Sequence, residues 1–253
     1  MTKFPFYPRD RAATFEKYAA EYAFEQTEPT AWTPLRNPLR QCQAALVVSA
    51  GLRLQSQHEY TIGEQGGSSE FREISIHINP ADLAYDFTGY DTGEVQQDLN
   101  VLAPVNRLKD LVDREEISGV HETFFSFFGL SPDREDLQES ARKVAEKMIA
   151  GNVAVAFLVP ADMVCNQAIG LVARTLERAG ISTVALTTVP EITEQVKLPR
   201  SVFVNLPFGR TLGKADDRKG QDAIMMEMIQ ALKTLQRPGK IIESSARWEG
   251  SLE

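Results

Sequence analysis

A cysteine at the start of a helix-like segment is the residue of this chain whose setting most favours chemistry. Cys165 follows the apolar run NVAVAFLVP at residues 152–160 and comes directly before NQAIGLVARTLERAG at residues 166–180. A helix N-terminus offers unpaired N–H groups and a partial positive charge, and a thiol in that field is favoured as the nucleophilic thiolate. The alternative is that Cys165 is a small buried apolar residue, as most free cysteines are.

Polar residues on both sides of this cysteine are candidates for supporting roles. Asp162, three positions earlier, can orient the nucleophile or act as an acid, or it can serve only as a turn or cap residue. Asn166 and Gln167 can donate hydrogen bonds to a bound anion at the first helical turn, or they can simply cap that helix. We expect Cys165 and Asp162 to be the catalytic pair.

Four residues elsewhere in the sequence are candidates for binding a substrate. Arg72 and Arg210 are the basic residues nearest to loops expected at a cleft, where each can hold a carboxylate; a solvated surface position is the alternative. Tyr90 and Asp91 lie in the long polar segment at residues 79–100. A loop of this length inside a compact domain is more often functional than idle, so we expect these two residues to close over the substrate.

The elements that must position these residues follow from hydrophobic periodicity. Residues 152–160 form an apolar run of strand length, residues 166–179 repeat apolar positions at helical spacing, and residues 184–186 belong to a second buried strand. Two buried strands joined by a helix make a right-handed βαβ unit with parallel strands. Strand and helix patterns alternate along the chain. This predicts an α/β three-layer sandwich with a mostly parallel sheet, flavodoxin-like or Rossmann-like.

The carboxyl ends of parallel strands are where ligands bind in such sheets. Loops follow predicted strand ends at residues 49, 128, 160 and 204, and we expect all four to converge on one cleft. The sequence contains no GxGxxG or Walker phosphate-binding motif, so we expect no cofactor. A flavin- or nucleotide-binding oxidoreductase remains an alternative that only the fold class supports.

Three regions are expected along the chain. Residues 1–41 combine a helix at residues 9–26 with a proline-rich arm, and the apolar residues Trp32 and Leu35 argue that this arm is ordered. Residues 42–237 form the α/β domain, and residues 238–253 form a polar tail that we expect to be frayed. The aromatic arm suits an oligomer interface, so we expect a homo-oligomer.

Composition excludes several classes of protein. With 253 residues, 43% of them hydrophobic, the chain can bury a full core without a metal or disulfide staple. The net charge of −8 argues against binding to nucleic acid or to an anionic membrane surface. No apolar run approaches the roughly 20 residues of a membrane span, and the first residues do not resemble a signal peptide. We therefore expect a cytoplasmic protein.

The histidines and cysteines predict neither a metal site nor a disulfide. His58, His77 and His121 show no metal-ligand spacing. Cys42 opens the first predicted strand, whereas Cys165 follows the end of another. About eight residues at roughly 3.3 Å each separate the two along the strand axis. This exceeds the roughly 7 Å that a disulfide allows between Cα atoms, so we expect two free thiols.

Several segments together resemble one known family. They are WTPLRNPL before the first strand, ALVVSAGL within it, FREI, GYDT with DLNVLAPVNRL, CNQAIGLVARTLERAGI and VNLPFGRTLG. This set is similar to the selenoprotein B family of glycine, sarcosine, betaine and D-proline reductases. The resemblance covers roughly residues 31–235, and its most specific part is the helix-opening motif at Cys165. In length the chain is closer to the small selenoprotein subunit of D-proline reductase than to the longer glycine-type subunits.

The resemblance implies a reductive reaction. In that family the residue that matches Cys165 is a selenocysteine or a cysteine and is the nucleophile. It attacks the α-carbon of an amino acid that a pyruvoyl group on a partner subunit has activated. The carbon–nitrogen bond breaks, and a second thiol resolves the adduct. For this chain the resemblance therefore implies a cysteine-dependent reductase, an amino-acid-like substrate, and a pyruvoyl-type or thiol-donor protein partner.

The chain departs from the family pattern at two places. The family commonly has a cysteine three residues before the nucleophile, where this chain has Asp162, so external thiols would have to resolve the adduct. Histidines are frequent in the family just before the Tyr90–Asp91 pair, where this chain has residues 86–89, DFTG. These departures leave the substrate open and support a second hypothesis, a non-catalytic or partner-dependent subunit of a reductase-like complex.

Overall fold

The computed structural model describes residues 30–64, 66–87 and 89–248. The helix expected at residues 9–26 lies outside this part of the chain. In order, the elements are β1 (Gln43–Ser49), β2 (Leu52–Leu54), β3 (Phe71–Ser75), β4 (Leu83–Tyr85), α1 (Gly93–Gln97), α2 (Val105–Asp113), β5 (Gly119–Val120), β6 (Thr123–Phe127), α3 (Arg134–Ala150), β7 (Val153–Pro160), α4 (Met163–Arg178), β8 (Ser182–Thr187), α5 (Pro190–Gln195), β9 (Arg200–Phe203), α6 (Arg218–Thr234) and β10 (Lys240–Glu243).

A single large sheet organises these elements, with the strand order β10-β9-β8-β7-β1-β6-β3 and with β5 also pairing with β1. Its strands are parallel except β3, which runs antiparallel to β6 at one edge. The first parallel strand, β1, lies between β6 and β7, which follow it in the chain. This is the flavodoxin-like order, and it confirms the predicted α/β sandwich with a mostly parallel sheet.

The core lies on both faces of the sheet because successive residues of a strand point to opposite sides. In β1, Ala44, Leu46 and Val48 belong to a core cluster that includes residues of α2 and α6. Ala45 and Val47 belong to a second cluster with residues of α3 and α4. Helices therefore cover both faces, which explains why the interior of β1 and the whole of β7 are continuously apolar rather than alternating.

Helix α4 forms where its periodicity predicts. Ile169, Val172 and Leu176 are buried on the face that packs on the sheet. The helix begins after the cap residue Asp162 and ends at Arg178. Gly180 follows with a φ of 92°, a left-handed conformation that glycine adopts without strain and that ends the helix.

Two stretches differ from what their composition indicates. The segment expected to be irregular at residues 79–100 contains β4, which pairs with β2 in a small antiparallel sheet, and the short helix α1. The polar tail contains β10, which pairs in parallel with β9 at the edge of the main sheet, so this part is not frayed. An edge strand is exposed to solvent along one side and needs few apolar residues. With only two apolar residues, KIIE was therefore not recognised as a strand.

Candidate functional site

The carboxyl ends of β1 and β7 lie side by side at the centre of the sheet. Ser49, the last residue of β1, is in register with Pro160, the last residue of β7. After β1 the chain enters β2, which pairs with β4 outside the main sheet, whereas after β7 it enters α4. In flavodoxin-like sheets this boundary is the topological switch point, where ligands bind. Cys165 lies there, in the first turn of α4.

Asp162 is the N-cap of α4. Its Oδ1 accepts a hydrogen bond from the backbone N–H of Cys165 at 3.0 Å, and its side chain is buried. A carboxylate in this position satisfies one of the free N–H groups of the first turn and interacts favourably with the helix dipole. The structure therefore brings the two residues of the expected catalytic pair together and gives Asp162 the capping role.

Asn166 connects the loops that follow β7 and β8. Its buried amide donates to the backbone oxygen of Asp162 at 2.7 Å and to Oγ1 of Thr188 at 2.9 Å, and its Oδ1 accepts from the N–H of Thr188 at 3.3 Å. Both ends of the amide are thus engaged within the protein rather than offered to an anion. Gln167, one position further along α4, is half-buried.

The thiol of Cys165 is fully buried, with 0% of the residue exposed. Burial raises the pKa of this thiol well above its ordinary value, the negative charge of Asp162 raises it further, and the nearby Ser49 hydroxyl acts in the opposite direction. The helix N-terminus alone favours the thiolate. In this closed arrangement desolvation and the neighbouring carboxylate outweigh it, so the resting group is a thiol.

Gly129 and Phe87 form the covering over the sulfur. A Cβ atom on Gly129 would lie 3.1 Å from Sγ of Cys165 and 3.4 Å from the ring of Phe87, so the two side chains flank the same glycine. Gly129 also has a φ of 128°, which L side chains rarely adopt. Phe87 is partly exposed whereas Cys165 is buried, so we infer that its ring covers the sulfur on the solvent side.

Tyr90 lies beside Phe87, but its hydroxyl is engaged in a hydrogen bond within the protein. The residue is buried, and its OH donates to the backbone oxygen of Ala50 at 2.8 Å. Burial raises its pKa well above the ordinary value, and the nearby Cys165 adds to that effect. Tyr90 therefore stays neutral and anchors the segment to the end of β1.

Asp91 and Arg210 pair with each other at the rim of the site. Nη2 of Arg210 lies 3.1 Å from Oδ2 of Asp91, and its Nε lies 3.3 Å from Oε1 of Glu94. The guanidinium is thus held by two carboxylates and also lies over the ring of Trp248, with Cζ 5.0 Å from the centroid. A substrate carboxylate would have to displace these partners.

Arg72 lies on the edge strand β3 and is bound by the neighbouring loop. Its Nη2 donates to the backbone oxygens of His58 and Glu59 and to Oε2 of Glu70, the last at 2.7 Å. Its guanidinium also lies over the ring of Tyr60, with Cζ 4.2 Å from the centroid. These contacts hold the 58–70 segment against the sheet and give Arg72 a structural role.

The loops that follow the parallel strands do meet at this edge. The N–H of Gly209 donates to the backbone oxygen of Ala161 at 2.8 Å, and Oγ1 of Thr211 donates to the oxygen of Pro160 at 2.6 Å. The loop after β9 thereby supports the turn that carries Asp162 and Cys165. The loop after β6 contributes Gly129, as described above.

Three residues at the site were not candidates from sequence: Ser49, Phe87 and Gly129. Ser49 carried a signal, because a hydroxyl directly after the apolar run at residues 44–48 is unusual in a buried sheet. Phe87 and Gly129 carried none, since an aromatic residue and a glycine in loops have many ordinary explanations.

The described residues contain neither a cluster of metal ligands nor a helix that could span a membrane. Within residues 30–64, 66–87 and 89–248, no group of three or more His, Cys, Asp or Glu side chains is placed to hold a metal ion. Among the helices of this same part of the chain, none combines the length and apolar character needed to cross a bilayer. Cys42 and Cys165 are both free thiols, as expected.

The sequence is similar to one known protein family and to several of its members. The profile of the family "Glycine/sarcosine/betaine reductase selenoprotein B (GRDB)" matches residues 13–161, a range that ends just before Asp162. The chain is 25% identical to "D-proline reductase subunit gamma" of Acetoanaerobium sticklandii over 217 residues, which are 85% of this chain and 88% of the relative. No solved structure matches the chain significantly.

Longer relatives match over the same region. The chain is 25% identical to "Glycine reductase complex component B subunit gamma" of Carboxydothermus hydrogenoformans, covering 84% of this chain and 49% of the relative. It is 26% identical to "Sarcosine reductase complex component B subunit beta" of Peptoclostridium acidaminophilum, covering 87% and 52%. The chain thus spans about half the length of these two proteins. Since the family profile matches more than half of the chain, the protein belongs to the glycine/sarcosine/betaine reductase selenoprotein B family.

Proposed function

We propose that this protein is a cysteine-dependent subunit of a reductase complex, in which Cys165 cleaves a carbon–nitrogen or related carbon–heteroatom bond of an amino-acid-like substrate. The observation that carries the proposal is the position of Cys165. It lies at the switch point of a flavodoxin-like sheet, in the first turn of a 16-residue helix. A sulfur there meets the ligand-binding edge of the fold and the positive end of the helix dipole.

The reaction would proceed by two displacements. The thiolate sulfur forms a bond to the substrate carbon while the carbon–nitrogen bond breaks, and the nitrogen leaves with the bonding electron pair and takes up a proton. An external thiol then attacks the sulfur of Cys165, and the carbon leaves with the sulfur–carbon electron pair and takes up a proton. A second thiol reduces the mixed disulfide, so two thiols supply the two electrons.

The second thiol would have to come from outside the described part of this chain. Cys42 lies before the first residue of β1, at the opposite end of the strand from Ser49, and its Sγ is 3.5 Å from the backbone oxygen of Pro38. Asp162 occupies the position three residues before Cys165, where a resolving cysteine would be placed. A small dithiol or a thiol-donor protein is therefore the proposed reductant.

A partner protein is also part of the proposal. The relatives named above are subunits or components of reductase complexes. The closed covering over Cys165 fits such an arrangement, because a buried thiol with a raised pKa is protected from oxidation and from premature reaction. Docking of an activated substrate, such as one held by a pyruvoyl group, would displace Phe87 and bring the electrophile to the sulfur.

The remaining candidate residues take supporting roles in this proposal. Asp162 fixes the first turn of α4, and Asn166 fixes the turn relative to β8. Gln167 and the Asp91–Arg210 pair lie where an incoming substrate could reach them, with Arg210 able to exchange Asp91 for a substrate carboxylate. Arg72 is kept only as a distant candidate, because the 58–70 segment occupies its guanidinium.

The first prediction concerns activity. In the complex purified with its native partners, Cys165→Ser should abolish reductive cleavage, because a hydroxyl is a poor nucleophile and cannot form the mixed disulfide. Glycine, sarcosine, betaine and D-proline are the substrates to assay, with dithiothreitol as the reductant. Cys42→Ser is the matched control and should retain activity. Full activity in Cys165→Ser would overturn the catalytic assignment.

A second candidate function is a non-catalytic subunit that keeps the fold for assembly. The complete burial of Cys165 and the direction of its pKa shift favour this alternative. The reactivity of the Cys165 thiol distinguishes the two functions. A sulfur that stays unreactive toward iodoacetamide until the chain unfolds, even after Phe87 is removed, belongs to a scaffold.

A further inference from the structure

Ser49 has an unusual polar group for the centre of a sheet. The residue is 0% exposed and lies at the carboxyl end of β1, flanked by β6 and β7. Its backbone oxygen accepts from the N–H of Ala161 at 2.9 Å. Its Oγ, in contrast, has no hydrogen-bond partner among the described residues. Buried hydroxyls without a partner are uncommon and call for an explanation.

The hydroxyl has one chemically relevant neighbour. It lies near the thiol of Cys165, and its influence on the pKa of that thiol is opposite to the effects of burial and of Asp162. A neutral S–H is a weak acceptor, so the interaction is poor in the resting state. A thiolate is a much stronger acceptor, and charge-assisted hydrogen bonds are shorter and stronger than neutral ones. The same hydroxyl is therefore better satisfied when the sulfur is ionised.

Other polar groups around the sulfur cannot take this part. Asp162, from the turn before α4, carries a negative charge and accepts the N–H of Cys165. The hydroxyl of Tyr90, from the covering segment, donates to Ala50. Within residues 30–64, 66–87 and 89–248, no positively charged side chain is among the main influences on the pKa of this thiol. Ser49, from β1, is thus the side-chain donor left for the anion.

We propose that Ser49 is a positioning residue whose hydroxyl donates a hydrogen bond to the Cys165 thiolate and thereby selects the reactive form of the nucleophile. The inference rests on the proposed function, because it assigns a partner to the same sulfur. A fold that buries a nucleophile next to a carboxylate needs a donor to ionise it, and Ser49 supplies that donor from the end of β1. The hydroxyl would also orient the sulfur toward the covering of Phe87.

The experiment measures the titration of Cys165 in variants of two buried serines, all made in a Cys42→Ser background. Cys42→Ser leaves a single cysteine, so the Cβ resonance of ¹³C-labelled cysteine reports the ionisation of Cys165 without requiring a reagent to enter the site. Ser49→Ala should raise the midpoint of this titration by about one pKa unit, a tenfold change in the ionisation constant. Ser49→Thr keeps the hydroxyl and should restore most of the shift.

Ser201→Ala is the matched control. Ser201 is likewise 0% exposed, lies on the strand β9 and has an Oγ without a partner in the described residues, but it is not at the thiol. This variant should leave the titration midpoint of Cys165 unchanged, and thermal unfolding of all variants shows whether each folds. Alkylation by iodoacetamide at a fixed pH, measured in a Phe87→Ala background, should slow by about tenfold with Ser49→Ala only.

The outcomes separate the inference from the proposed function. If folded Ser49→Ala has the same midpoint and the same alkylation rate as its parent, the inference is wrong, whereas the nucleophile assignment stands or falls with Cys165→Ser activity. If Cys165 neither titrates nor reacts in any variant, both fail. An equal shift in Ser201→Ala would also overturn the role of Ser49, since the effect would then be one of general packing.

Discussion

At the scale of single residues, Cys165 is subject to opposing influences on its acidity. The positive end of α4 favours the thiolate, while burial and the charge of Asp162 favour the thiol, and the second pair dominates. Asp162 is thus both the cap that holds the first turn in place and the charge that suppresses ionisation. A nucleophile of this kind is stable until substrate binding changes its surroundings.

A charge-neutral cap should release part of this suppression. Asp162→Asn keeps a good N-cap residue but removes the negative charge that raises the pKa of Cys165. The pKa of Cys165 should therefore fall. At a fixed pH below that pKa, the thiolate fraction should rise by up to about tenfold for each unit by which the pKa falls. Iodoacetamide alkylation measured across pH, with Phe87→Ala as the common background so that the reagent can reach the sulfur, should show this increase.

The control for this prediction is another capped helix. Asp133 is the N-cap of α3, where its Oδ1 accepts from the N–H of Asp136 at 2.9 Å. Asp133→Asn removes the same charge from a cap elsewhere and should not change the reactivity of Cys165. Slower or unchanged alkylation in Asp162→Asn would show that the carboxylate does not suppress the thiolate.

At the scale of elements, the site is an assembly of strand ends closed by one aromatic side chain. Phe87 lies against Phe128, with ring centroids 5.4 Å apart, and against Tyr90, with centroids 6.2 Å apart. The close approach of Gly51 fixes its backbone, since a Cβ atom there would lie 2.5 Å from Cβ of Phe87. The ring is therefore held by the loops that follow β1 and β6 and by Tyr90 of its own segment after β4.

Removing this ring should open the site. Phe87→Ala is expected to raise the rate of Cys165 alkylation at pH 8 by at least about tenfold, because the sulfur gains access to water and its desolvation decreases. Phe71→Ala is the matched control: Phe71 is also partly buried but packs on Phe125 and Phe127 at β3. Equal rates in the two variants would mean that Phe87 does not cover the thiol.

At the scale of the whole molecule, the proline-rich arm is fastened far from the thiol by a buried ion pair. Glu177, in the last turn of α4, and Arg200, at the start of β9, are 0% and 1% exposed at their side chains and lie 2.6 Å apart. The backbone N–H of Thr33 donates to Glu177, its backbone oxygen accepts from Arg200 at 2.7 Å, and the Trp32 ring stacks on the guanidinium at 3.5 Å. The arm is therefore ordered here, and its domain boundary stays a prediction.

Breaking this pair should destabilise the protein in a pH-dependent way. Arg200→Met leaves Glu177 buried without its cation and should lower the free energy of unfolding by about 3–5 kcal/mol at pH 7. Burial already raises the pKa of Glu177, and loss of Arg200 raises it further. A buried acid with a raised folded-state pKa destabilises the fold when it is ionised, above its unfolded-state pKa, and not when it is protonated. The decrease in the free energy of unfolding that Arg200→Met causes should therefore become smaller as the pH falls toward about 4.

Urea unfolding at several pH values measures this effect. The exposed pair of Arg142 and Glu139 on α3 is the control, with side chains 56% and 50% exposed. Arg142→Met should change stability little, because surface ion pairs are screened by solvent. A loss in Arg200→Met that is constant with pH would argue that packing against Trp32, rather than the charge of Glu177, holds the arm.

Sequence pattern predicted the local parts of this molecule well. The apolar run at 152–160, the helical spacing of Ile169, Val172 and Leu176, and the stop at Gly180 placed Cys165 at the junction of a strand and a helix. These features depend on neighbours within a few residues, so the one-dimensional pattern contains them. The parallel sheet followed from the same alternation, and the motif around Cys165 was specific enough to indicate the family.

Long-range contacts decided the rest. Whether Arg210 is free or paired with Asp91, whether Tyr90 is available or bonded to Ala50, and whether β10 joins the sheet all depend on segments distant in sequence. The acidity of Cys165 is the clearest case. The sequence alone determined the strand, the helix and the thiol at its N-terminus. Only the tertiary structure placed Ser49 and Phe87 at the sulfur and excluded water, and desolvation is a property of the surrounding volume rather than of the chain.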